Sequence, residues 1–253
     1  MTKIILSGCG GRMGAAITRL AAEDAAIEIV AGIDPSAGAQ EYPVFANIAD
    51  FTGEADAIVD FSTADSLDDL LAFATERRLP LVLCTTGHSA PQLDRLREAS
   101  REIPLFRSGN MSLGINLLRE LVERTANFLG RGFDIEIVES HHRRKVDAPS
   151  GTALMLADAA AAAFDTKPDY VFDRSARREP RPAGEIGVSA VRGGTIVGEH
   201  NVIFAGNDEV IELRHVAYSR EVFAVGALRA AKFMAEVKSA GMYDMSDVLA
   251  TNL

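Results

Sequence analysis

The chain has 253 residues, 47% of them hydrophobic and 25% charged, which is ample for a real core in one large domain or two modest ones. A formal net charge of -10 argues against wholesale binding to nucleic acid or to an anionic membrane, so an anionic ligand needs a local basic patch. No apolar run approaches the roughly 18 residues of a membrane span, no signal-peptide layout is present, and Cys9 and Cys84 alone make no disulfide framework, so a cytoplasmic setting is expected.

The first hundred residues alternate short apolar runs with helical patterns. Strands are expected at Lys3–Ser7, Glu28–Ile33, Ala57–Phe61, Pro80–Cys84 and Pro104–Arg107, and helices at Arg12–Ala22, Ser66–Arg77 and Ala90–Ser100. Near-continuous apolar strands separated by helices predict a doubly wound, Rossmann-like α/β parallel sheet over residues 1–112. The pattern then changes. A long helix, Gly114–Phe128, leads to a strand at Phe133–Glu139 and an alanine-rich helix at Thr152–Phe164. Residues 165–185 carry three prolines and Arg174, Arg177, Arg178 and Arg181, and read either as a mobile loop or as an ordinary solvated one. Strands at Ile186–Arg192, Ile196–Ala205 and Val210–Ala217 follow without helices between them, with hairpin turns expected at Gly193-Gly194 and Gly206-Asn207-Asp208. Such a run predicts a second, α+β domain with a mixed sheet at 113–219. A last helix begins after Ser219, in the stretch 220–253.

Ser7-Gly8-Cys9-Gly10-Gly11-Arg12-Met13-Gly14 follows an apolar strand and opens a helix, as a pyrophosphate-binding loop must. Met13 stands where a strict GxGxxG has its third glycine; the glycines fall at 8, 11 and 14. Asp34 ends the second strand, about 20 residues on, where an acid binds ribose hydroxyls. A carboxylate there repels a 2′-phosphate and Pro35 follows it, so NADH is expected to be preferred and NADPH tolerated, with Arg12 as a possible counter-charge. Thr85-Thr86-Gly87 and Ser108-Gly109-Asn110-Met111-Ser112 follow two further strands, and so are candidates to meet the rest of a dinucleotide.

The densest functional cluster runs from Glu139 through His141-His142-Arg143-Arg144-Lys145 to Pro149-Ser150-Gly151-Thr152. This basic patch suits a small carboxylate-bearing substrate held by cations and by the N–H groups of a helix start. His141 or His142 can exchange a proton near neutral pH. Adjacent residues of an extended chain point to opposite faces, so these two do not share a metal and no metal site is expected. His215 lies on the face of Ile211 and Leu213 and reads as a core histidine, while His88 and His200 carry no strong signal.

With those residues in view, the chain resembles the 4-hydroxy-tetrahydrodipicolinate (dihydrodipicolinate) reductase family. The match rests on Gly8–Gly14, on His141–Thr152, and on Val191-Arg192-Gly193-Gly194 with Val197-Gly198-Glu199-His200 and Gly226-Ala227. The resemblance implies NAD(P)H-dependent reduction of 4-hydroxy-tetrahydrodipicolinate to tetrahydrodipicolinate in diaminopimelate and lysine biosynthesis, with His141 protonating the substrate after hydride transfer. It implies that Lys145 is a second proton donor or a carboxylate clamp, and that His142, Gly151 and Thr152 bind the dicarboxylate. It assigns the cofactor to Gly8, Cys9, Gly10, Gly11, Arg12, Met13, Asp34, Cys84, Thr85, Thr86, Ser108, Gly109, Asn110, Met111 and Arg220. It also implies a homotetramer joined through the second domain's sheet, and a last helix that returns to the first domain. Cys84 departs from the family's usual glycine, which is costly if the backbone needs a positive φ there; its thiol is also a candidate for oxidation beside the cofactor.

Overall fold

The computed structural model describes residues 1–251. The chain divides into two compact units, Met1–Ser112 with the chain from Glu221 onward, and Leu113–Arg220.

In the first unit, β1 (Thr2–Ser7), β2 (Ile27–Ile33), β3 (Val44–Phe45), β4 (Ala57–Asp60), β5 (Leu81–Leu83) and β6 (Pro104–Arg107) are joined by β12 (Gly241–Tyr243) from the end of the chain. The seven strands are parallel in the order β12-β6-β5-β4-β1-β2-β3. Ile4, Ile5 and Leu6, Ile58 and Val59, and Leu81, Val82 and Leu83 are buried on both faces, because helices cover both. Leu67, Leu70 and Phe73 of α2 (Leu67–Arg77) and Leu96 of α3 (Ala90–Ala99) pack with Ile5, Ile58, Leu81 and Leu105. Helix α1 (Arg12–Ala22) packs against α6 (Glu221–Glu236), and α6 lies on β1, β4 and β5. Strand order reverses between β1 and β4, which opens a crevice at their carboxyl ends.

In the second unit, α4 (Leu113–Leu129) and α5 (Gly151–Ala161) cover one face of a mixed sheet. That sheet comprises β7 (Asp134–His141), β8 (Asp169–Val171), β9 (Glu185–Arg192), β10 (Gly198–Ala205) and β11 (Val210–Ala217), in the order β11-β10-β7-β9-β8. The buried face alternates along each strand: Ile135 and Ile137 on β7, Val202 and Phe204 on β10, Ile186 and Val188 on β9.

Two expectations for this unit are corrected. The strands β9 and β10 are not a hairpin, because β7 lies between them, parallel to β9 and antiparallel to β10. Their connection instead caps the end of β7, where Gly193 N–H donates to His141 O at 2.9 Å, and β10 begins at Gly198 rather than at 196. The turn at Gly206–Glu209 does join a hairpin, β10 to β11, with Asp208 at φ 63°. The segment 165–185 is not simply a solvated loop. It contributes edge strand β8, and three of its four arginines are tied down: Arg174 binds Glu136 bidentately (2.7 and 2.9 Å) and also Glu185, Arg177 binds Glu185 at 2.6 Å, and Arg181 spans Asp134 and Glu136, while Arg178 is exposed. Glu185 is only 4% exposed and its carboxylate is held by these guanidinium groups.

Candidate active site

The glycine loop of the first unit is built by close approach. Gly8 has φ 78°, and a Cβ there would lie 2.6 Å from the carbonyl carbon of Phe61 at the end of β4. A Cβ at Gly14 would lie 2.4 Å from Gly8 O, so the tight contact falls one residue after Met13 and the glycine is needed at 14. Gly11 caps α1, and Arg12 opens it with an exposed side chain. Asp34 accepts from Gly10 N–H at 3.1 Å and from the N–H and hydroxyl of Ser36 at 2.9 and 2.8 Å. Burial alone would raise the Asp34 pKa, but these donors hold it below the usual carboxylate value. The glycine loop, Asp34 and the end of β4 line a cavity of about 530 Å³.

Cys84, Thr85 and Thr86 follow β5, and Ser108, Gly109, Asn110 and Met111 follow β6, at the same carboxyl edge but outside that cavity. Thr85 Oγ1 is buried with no hydrogen-bond partner among the described residues. Ser108 donates to Asn110 O at 2.9 Å, and the Asn110 side chain accepts from Ser112 N–H at 2.8 Å. Cys84 does not have a positive φ, so its side chain costs no backbone strain. Burial, and then the nearby Asp60 carboxylate, push its thiol well above the ordinary range, which disfavours the reactive thiolate.

The second unit's cluster sits where the apolar face of its sheet turns polar. Continuing β7 past Ile135 and Ile137, the same face carries Glu139 and then His141. Glu139 is completely buried and accepts from His141 Nδ1 at 2.6 Å, from Ser150 N–H at 2.9 Å and from the two terminal Arg192 nitrogens at 2.6 and 2.7 Å. Desolvation opposes its charge, but Arg192, His141 and Ser150 outweigh it and the pKa is lowered. An ionised Glu139 can only accept, so the His141 hydrogen on Nδ1 is fixed and Nε2 is the nitrogen left to exchange. A Cβ at Gly198 would lie 3.2 Å from that Nε2.

His142 points elsewhere, with Nε2 accepting from Arg220 at 3.2 Å and Nδ1 buried without a partner among the described residues. Desolvation, then Arg220 and Arg144, lower its pKa. Lys145 pairs with Asp147 at 2.9 Å, and Arg192 also donates to Asp147 O at 2.7 Å. Ser150 caps α5 by accepting from Ala153 N–H at 3.1 Å, which leaves Gly151 and Thr152 in its first turn; the space beside Gly151 is open.

Within the second unit Glu139 gathers His141, Arg192 and the start of α5, and Lys145 pairs with Asp147, whose carbonyl oxygen Arg192 also binds. Arg220 is drawn to His142 there. Sequence reasoning assigned no role to Glu139, Arg192 or Ser150 and passed over His200. The detectable signal was the two-residue alternation of β7 and β10, which carries apolar residues and, on the same faces, Glu139, His141 and His200.

Comparison with known proteins decides the family. The model described as Dihydrodipicolinate reductase, N-terminus matches residues 2–111, and that described as Dihydrodipicolinate reductase, C-terminus matches residues 114–249. The chain belongs to the dihydrodipicolinate reductase family. It is 50% identical over 249 residues to the 4-hydroxy-tetrahydrodipicolinate reductase of Caldanaerobacter subterraneus subsp. tengcongensis, covering 98% of each chain. It is 49% identical over 250 residues to that of Clostridium tetani, covering 98% of this chain and 97% of the relative. In fold it is similar to the dipicolinate-bound dihydrodipicolinate reductase of Paenisporosarcina sp. TG-14, with a TM-score of 0.80, 23% identity and 96% and 97% of the two chains covered. Family membership makes the chain an oxidoreductase, and its first unit the expected seat of a nicotinamide cofactor. No described helix is long and apolar enough to cross a membrane.

Proposed function

We propose that the chain reduces 4-hydroxy-tetrahydrodipicolinate to tetrahydrodipicolinate in diaminopimelate and lysine biosynthesis, with hydride from NAD(P)H and a proton from His141. The observation that carries the site assignment is the His141–Glu139 pair beside the start of α5, an oriented proton donor next to an anion-binding helix end.

The first unit fits a dinucleotide. Gly8 to Met13 form a tight turn whose glycines allow its close approach to Phe61 and Asp34, Gly8, Gly11 and Asp34 line the adjoining cavity with Asp34 placed for ribose hydroxyls, and the unpartnered Thr85 Oγ1 suits a ligand's polar group. Cys9, Cys84, Thr86 and Ser108–Met111 complete the proposed cofactor residues. When bound, the nicotinamide supplies hydride. The protein's own part is to hold the substrate and deliver the proton. Lys145 attracts the substrate's carboxylates by its charge, neutral His142 can donate to one from Nδ1, and the N–H groups of Gly151 and Thr152 receive one of them. Lys145 is also placed to act as a second donor. His141, held by Nδ1, gives its proton from Nε2 to the reduced ring, and Glu139 stays ionised and keeps the tautomer. Arg220 is assigned to the cofactor by resemblance alone; its bond to His142 gives it a second role, in orienting a substrate ligand.

The carboxylate of Asp34, followed by Pro35, supports a preference for NADH over NADPH. The two cysteines are free, as suits a reducing cytoplasm, and we propose a homotetramer assembled through the second unit's sheet. The test is NADH oxidation on adding freshly generated 4-hydroxy-tetrahydrodipicolinate. Substrate-dependent turnover supports the reading and its absence refutes it; kcat/KM for the two cofactors in the same assay should favour NADH, and a clear NADPH preference would refute the preference alone.

A further inference from the structure

We propose that His200 is a positioning residue for this reaction, coupling the ring of His141 to the first turn of α5 through Ser150. The inference rests on the reading above, in which His141 is the proton donor and α5 receives a carboxylate. On β10 the alternation that buries Val202 and Phe204 also buries His200, which is 4% exposed. A packing role alone needs no imidazole: a leucine or phenylalanine would continue the apolar row without the cost of burying a polar ring.

The imidazole has two specific contacts. Its Nε2 lies 2.9 Å from Ser150 Oγ. That oxygen already accepts the N–H of Ala153, so its hydroxyl hydrogen is free to be donated to Nε2. The ring also meets His141 edge to face, with centroids 5.2 Å apart and planes at 74°. The registers of β7, β10 and β11 place Glu139, His200 and His215 side by side across the sheet. His141 is therefore held from two directions: Glu139 grips Nδ1, and His200 supports the ring face or edge. Both supports converge on Ser150, whose N–H binds Glu139 and whose hydroxyl binds His200. The proton donor and the helix end thereby form one positioned unit, and loosening His200 displaces both.

The test compares His200→Phe, which keeps a ring, with His200→Gln, which keeps a polar atom near Nε2, and with Ser150→Gly, which removes the hydroxyl at a cap where glycine is well tolerated. Steady-state kinetics are measured with the substrate and with NADH. His200→Phe and Ser150→Gly are expected to lower kcat by about ten- to a hundred-fold, as misplacement of a catalytic group does, and to raise KM for the substrate while KM for NADH is unchanged. His200→Gln should recover most of the loss, and the downfield proton resonance of the short His141–Glu139 bond should survive in it and broaden in His200→Phe. Near-normal kcat in His200→Phe overturns the proposal, as does equal loss in the Gln and Phe variants; if His200→Phe fails to fold, Ser150→Gly decides. His141→Gln run alongside separates the two readings, since normal turnover in that variant removes His141 from the chemistry whatever His200 does.

Discussion

Replacing His200 by glutamine should flatten the fall of stability on the acid side of neutrality. Burial, then the neighbouring His141, His215 and Lys145, lower the His200 pKa to about 4, while Glu139 pulls it the other way. In the unfolded chain the imidazole takes a proton near its ordinary value of about 6.5. Between those values the unfolded state binds a proton that the folded state refuses, so stability rises with pH there. The contribution is present above pH 6.5 and is lost as pH falls toward 4. Because His200 is only 4% exposed, little of this is screened by solvent. The two pKa values give a loss of about 2–3 kcal/mol between pH 7 and pH 4.5, or roughly 5–10 °C in Tm for a chain of this length. His215, also lowered by burial, pushes in the same direction in both proteins and cancels in the comparison. Thermal unfolding of wild type and His200→Gln at pH 7 and pH 4.5 measures the difference directly. Equal falls of Tm in the two proteins would refute the reasoning.

Two further outcomes follow from contacts at the two sites. Gly198→Ala puts a Cβ 3.2 Å from His141 Nε2 while Glu139 prevents the ring from turning away, so kcat should drop with the NADH Kd unchanged; wild-type kcat would show that the ring yields. Cys84, kept protonated by burial, should not be the site of oxidative inactivation: under mild peroxide wild type and Cys84→Ala should lose activity at the same rate, and protection by the substitution would overturn that.

The first unit was largely legible because its signals are local. An apolar strand, a glycine turn and a helix start lie within Thr2–Ala22, and the parallel sheet follows from apolar strands spaced by helices. The strands β3 and β12 have two and three residues, too few for any periodicity. In the second unit the decisive contacts are distant in sequence. Nothing near Gly193-Gly194 announces that β7, some fifty residues earlier, fills the slot beside β9. Arg174 reads as a loop residue because its partner Glu136 is 38 positions away. The basic run at His141–Lys145 was plain as chemistry, but its organisation was not: Glu139 binds Arg192 across 53 positions and Ser150 reaches His200 across 50. His215, which reads as a core histidine, is only half-buried, whereas His200, which carries no strong signal in the sequence, is 4% exposed; its burial and its contacts to Ser150 and His141 are visible only in three dimensions.

The central claim is that His141, oriented by Glu139, delivers the proton after hydride transfer. Its most direct test is His141→Gln, assayed for kcat with 4-hydroxy-tetrahydrodipicolinate and for NADH binding by fluorescence titration. The account predicts a kcat lower by about 10²–10⁴ with an unchanged NADH Kd. A near-normal kcat, or a loss explained by weakened NADH binding, would contradict it.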